Sequence, residues 1–106
     1  MLLIDSNGMV VSPRVVRVRK AQIERGAMQR ISGVIVHQTG GSTAASALNS
    51  YQNAYATGAH FLIEKDGTIY QTASLKKQTW HVGANQGALR CRIALHASRT
   101  AAASPF

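Results

Sequence analysis

An apolar, β-branched run, Gly33-Val34-Ile35-Val36, ends on His37-Gln38-Thr39 and gives way to Gly40-Gly41 and a stretch with helical spacing. Such a run predicts a buried central strand that delivers His37 and Thr39 to a ligand-holding loop at its end. Ser42, before Thr43, offers an N-cap for a helix running to about Thr57, with Gly58 as its C-terminal signal. Ala44, Leu48, Tyr51 and Tyr55 recur at spacings of four, three and four, one stripe that should pack on a sheet. His60-Phe61-Leu62-Ile63-Glu64 alternates, Phe61 and Ile63 against His60, Leu62 and Glu64. Lys65-Asp66-Gly67-Thr68 then supplies a tight turn into Ile69-Tyr70-Gln71.

The flanks are less regular. Ser6-Asn7-Gly8 between Leu2–Ile4 and Met9–Val11 predicts a short hairpin. Val15, Val16 and Val18 among Arg14, Arg17, Arg19 and Lys20 fit an edge strand guarded by charge, and Gln22 to Arg30 leaves helix and loop open. Trp80-His81-Val82-Gly83 with Ala84-Asn85-Gln86-Gly87 reads as a loop, and Ala88 to Arg99 as a short basic helix bearing Leu89, Ile93 and His96. Strand, helix and hairpin in this order imply an α/β or α+β fold, with a mixed central sheet flanked by helices.

At 106 residues the chain is expected to form one domain, 1–106. Twelve Lys and Arg against four Asp and Glu give a charge of +8, which favours anionic partners without choosing among nucleic acid, anionic membrane and acidic cell-wall polymer. No apolar run approaches the roughly 18 residues of a spanning helix, so membrane insertion is not expected. Met1-Leu2-Leu3-Ile4 meets Asp5 at once and lacks the layout of a signal peptide. The single Cys91 cannot form an internal disulfide.

Among groups able to do chemistry, His37 stands first, because a neutral imidazole at a strand end suits either a zinc ligand or a general base. Its bland reading is a hydrogen-bonded histidine at the sheet. His37, His60, His81 and His96 are separated by 23, 21 and 15 residues, so no short-range pair completes a metal site. His60 reads as structural or as orienting another group, and Trp80 as the anchor of the loop that carries His81. Cys91 and His96 are weaker metal donors by spacing, and Tyr51 and Tyr55 read as helix packing. No P-loop, dinucleotide glycine pattern or zinc finger is present.

Taken together, Val34-Ile35-Val36-His37-Gln38-Thr39, the helix with Leu48 and Tyr51, Ala59 through Gln71, and Thr79-Trp80-His81-Val82-Gly83 resemble the zinc-dependent N-acetylmuramoyl-L-alanine amidases of type 2. These share a fold with peptidoglycan recognition proteins, and the resemblance is clearest over 31–83. It implies His37 as first zinc ligand, Thr39 lining the same cleft, His60 in the strand floor and His81 near the substrate. The substrate it implies is the amide joining the lactyl group of N-acetylmuramic acid to L-alanine of the stem peptide. Ala59 stands where the family often has tyrosine, so no phenolic catalytic group is implied. The family pattern also calls for a second zinc histidine and an aspartate or cysteine ligand beyond another central strand. The 23 residues after Gly83 show no equivalent, so this segment is expected to be truncated, divergent or refolded.

The leading expectation is therefore an amidase-type domain directed at peptidoglycan or muramyl peptides, acting in the periplasm or outside the cell. A noncatalytic peptidoglycan-binding protein or inactive amidase fragment is the second reading. A basic nucleic-acid binder is a third, weakened by the lack of interleaved aromatics and of a binding motif. A shortened core would expose a sheet edge, for which pairing with another copy is one remedy.

Overall fold

Leu3–Ile4 (β1) and Val10–Val11 (β2) pair antiparallel around a turn in which Gly8 takes φ +78°. A Cβ at Gly8 would overlap Ser74 Oγ and stand 3.0 Å from Lys76 N, so close approach as well as the turn requires glycine there. The computed structural model describes residues 3–38, 43–54, 56–79 and 92–97. Val15–Arg17 (β3) is the charged edge strand read from the sequence. A short 3-10 turn, Ala21–Ile23, leads into Glu24–Ala27 (β4), which settles the segment that the pattern left open.

Gly33–Gln38 (β5), the helix Ala44–Ser50 (α1), Phe61–Ile63 (β6), Ile69–Gln71 (β7), Lys77–Thr79 (β8) and Arg92–Ala97 (β9) follow. The main sheet has the order β3-β7-β6-β9-β5, and β4 pairs with β8 beside it. β6 and β7 are antiparallel, whereas β3 with β7, β6 with β9 and β9 with β5 are parallel. The sheet is thus mixed with a flanking helix, the expected class. The β6–β7 turn has Gly67 at φ +92°, and Asp66 Oδ1 accepts from Thr68 N at 2.9 Å.

Five expectations are corrected. Residues 92–97 are a strand and not part of a helix: β9 fills the slot between β5 and β6, where both its edges find backbone partners, and this overrides the helix propensity of Ala94, Leu95 and Ala97. Among the described strands β5 consequently lies at the edge, with Val34 58% and Val36 67% exposed. α1 ends at Ser50, where the Ser50 hydroxyl donates to Ala47 O and Asn49 and Asn53 carbonyls turn the chain. Its N-cap is Thr43, whose Oγ1 accepts from Ser46 N at 3.2 Å; Ser42 and Tyr55 lie outside the described residues.

Gly58, eight residues past the helix, is not its cap. The Tyr51 ring lies against it, 2.7 Å from where a Cβ would stand. As expected, the helix stripe packs on the sheet: Tyr51 joins Leu62, Ile23 and Ala73 in the core, with Ala47, Leu48 and Tyr70 against them.

Candidate functional site

β5, β9 and β6 run parallel, so their carboxyl ends share one edge of the sheet, and the chain leaving β5 returns there as the start of α1. Ligands of open α/β sheets bind in this region, outside the carboxyl ends of the strands. His37 is half-buried, one residue before the end of β5. Its register partner on β9 is His96, whose partner on β6 is Leu62. The sequence separates the two histidines by 59 positions, and the parallel ladder makes them neighbours along the backbone.

Glu64, just past β6, joins this edge to the helix. Its Oε2 accepts from Ala44 N at 2.8 Å and its Oε1 from Lys65 N at 3.0 Å. With Thr43 capping Ser46 N, two of the helix's orphan amides are satisfied, and the two ends of the 38–44 connection are fixed by His37's strand and by Glu64. Sequence reading missed Glu64 because its alternation with Leu62 looked like ordinary strand patterning; its position after a strand and 20 residues from a helix start carries no local signal.

His60 is fully buried and fully bonded. Nδ1 accepts from Ala94 N at 3.0 Å, so the proton sits on Nε2, which donates to Lys77 O at 2.7 Å. His60 N also donates to Ala94 O, and Thr72 N to His60 O. One residue therefore ties β6 to β9, to β8 and to the chain leaving β7. Burial pushes its pKa down, opposed by the Lys77 carbonyl and by the charge of Glu24. Tyr51 is likewise structural: its hydroxyl accepts from the buried Ala59 N, and burial raises its pKa.

Thr39, Trp80, His81 and Cys91 lie outside the described residues, as does the side chain of His96. Among the described residues, no three His, Cys, Asp or Glu side chains are grouped as a metal site would need. Thr79, the last described residue before Trp80, buries its Oγ1 without a hydrogen-bond partner there.

The family profile Amidase_2, described as N-acetylmuramoyl-L-alanine amidase, matches residues 27–101, which contain β5, α1, β6, β7, β8 and β9. The chain belongs to the Amidase_2 family. Among solved structures, this Amidase_2 chain is similar to a mutant endolysin from Bacillus subtilis, with a TM-score of 0.63 and 25% identity over 83% of this chain and 64% of that one. The Staphylococcus aureus hydrolase AmiA, solved in complex with its ligand, gives 0.62 and 24% over 85% and 46%. The catalytic domain of XlyA gives 0.64 and 24% over 82% and 62%. The Amidase_2 chain thus spans less than two thirds of each of these three structures. A search of curated proteins gives no significant match.

Proposed function

We propose that this Amidase_2 chain, as one domain, acts on the muramyl-peptide amide of peptidoglycan at the carboxyl edge of β5, β9 and β6. His37 is the central group, and Thr39 and His81 are assigned to substrate contact. The observation that carries the reading is the placement of His37: within the family-matched span, at the shared strand edge, beside the Glu64-anchored start of α1. There its imidazole can exchange a hydrogen bond or a proton with a polar ligand. The +8 charge favours an anionic wall polymer, and such a substrate sets the action in the periplasm or outside the cell.

Zinc is the cofactor that the family implies, with His37 its first ligand. Among the described side chains, His37 supplies one imidazole at this edge and Glu64 is engaged by Ala44 N, with no group of three donors. The second reading is a module that holds muramyl peptide without cleaving it, with which the +8 charge is equally compatible.

Muramyl peptide is incubated with the chain, with and without chelator, beside metal analysis and the His37→Ala variant. Chelator-sensitive release of the stem peptide, abolished in His37→Ala with the fold retained, supports hydrolysis. Binding without metal or release selects the module. Release that survives in His37→Ala contradicts the role given to this residue.

A further inference from the structure

α1 starts at the carboxyl edge of the main sheet, and little in its own sequence fixes that start. It has seven residues, and its first turn carries no acidic side chain to answer the partial positive charge of its amino-terminal N–H groups. Ala44 N is the first helical amide, and Ala44 is buried, so that donor needs a protein partner. The partner comes from another element: Glu64 Oε2 accepts from Ala44 N at 2.8 Å across 20 positions of sequence.

The backbone makes Glu64 a fixed point. Glu64 N donates to Thr68 O at 2.8 Å and Glu64 O accepts from Gly67 N at 2.9 Å, which locks the residue into the β6–β7 turn. Its Oε1 accepts from Lys65 N at 3.0 Å. Strand register relates this point to His37. Leu62, His96 and His37 share one level across β6, β9 and β5, and Ile63, Ala97 and Gln38 share the next. Glu64 therefore leaves β6 one residue beyond the level of Gln38, two strand spacings or about 10 Å from β5. An apolar groove of about 460 Å³, which Val34, Phe61 and Ile93 help to line, lies on the face of the sheet away from Leu62 and α1 and takes no part.

We propose that Glu64 is a positioning residue for the muramyl-peptide site: by holding Ala44 N it sets where α1 starts relative to His37, and its reach, more than its charge, controls ligand affinity. This rests on the reading that muramyl peptide is held at this edge. A helix start released from Glu64 samples several positions, and a ligand that needs one of them binds more weakly in proportion to the population lost. With the backbone of residue 64 fixed in the turn, a side chain one methylene shorter falls short of Ala44 N, whereas Gln keeps both the length and an acceptor oxygen.

The test titrates the full chain with muramyl dipeptide by NMR, comparing the wild type with Glu64→Asp, Glu64→Gln and Gln71→Leu, and measures the stability of each in urea. Gln71 pairs with Phe61 at the opposite end of β6 from Glu64, so Gln71→Leu reports what lost stability does by itself. Glu64→Asp should bind at least about tenfold more weakly than the wild type, the size that a hydrogen bond to a charged acceptor carries, with faster amide exchange at Ala44. Glu64→Gln should stay within about threefold of the wild type, and Gln71→Leu should bind as the wild type does although it is less stable. Wild-type affinity in Glu64→Asp would overturn the proposal. So would a Glu64→Gln as weak as Glu64→Asp, because charge would then carry the effect, or an equal loss in Gln71→Leu, because stability alone would then account for it. Each of these outcomes leaves the proposed function standing, whereas a wild type that does not bind muramyl dipeptide removes that function and this inference together.

Discussion

Replacing His60 probes the junction on which the candidate site rests. Only the neutral ring with its proton on Nε2 satisfies both Ala94 N and Lys77 O; a second proton on Nδ1 would face an N–H donor in a fully buried position. Its folded pKa is lowered, chiefly by burial, so the unfolded chain takes up a proton that the folded chain refuses. The His60 contribution is therefore complete above the unfolded value of about 6.5 and declines as pH falls through it toward the folded value. In that window the slope approaches about 1.4 kcal/mol per pH unit. His60→Leu removes the titration and strands the buried Ala94 N, at about 1–3 kcal/mol, together with the part-buried Lys77 O, at somewhat less. Against a total stability of about 5–15 kcal/mol for a domain, that is a large fraction.

Urea unfolding from about pH 7.5 to 5 measures both effects. The wild type should lose stability on acidification. His60→Gln, which keeps an amide donor and a carbonyl acceptor without titrating, should lose less than His60→Leu at neutral pH and should lack the His60 share of the acid slope. An unchanged slope in His60→Gln, or a loss below about 1 kcal/mol in His60→Leu, would refute the reasoning.

Two further substitutions test the packing. Gln71 is buried, with Oε1 accepting from Val10 N at 2.6 Å and Nε2 donating to Gly8 O and Ala73 O, so Gln71→Leu should destabilise by about 3 kcal/mol or more and release the β1–β2 hairpin to faster amide exchange. Unaltered exchange at Val10 would contradict the tether. Gly58→Ala would drive a Cβ to 2.7 Å from the Tyr51 ring and 3.0 Å from Ile23 Cγ2, so a loss of about 1–3 kcal/mol is expected in thermal or urea melts. A melt equal to wild type would contradict the close packing.

Local chemistry made the hairpins and the helix stripe legible. Asn7-Gly8 and Asp66-Gly67 announce turns by their backbone freedom, and Phe61, Leu62 and Ile63 announce a strand by alternation. What stayed hidden depends on distant partners. The segment 92–97 has residues that suit a helix, and it becomes a strand because β5 and β6 offer ladders on both sides. The position of His96 beside His37 follows from that pairing, so spacing could not reveal it. The edge position of β5 was hidden for the same reason: its valines look like a central strand, and only the strand order shows what lies beyond them. Glu64 was recognisable as strand pattern, while its reach to Ala44 is a tertiary contact.

The central claim is that a muramyl peptide is held at the carboxyl edge of β5, β9 and β6 around His37. Backbone and imidazole NMR shifts during titration with a muramyl dipeptide test it most directly. The expected result is a saturable set of changes at His37, Ala44 to Ser46 and Glu64, with the groove residues Val34, Phe61 and Ile93 unmoved. Changes confined to those groove residues, or none at millimolar peptide, would contradict it.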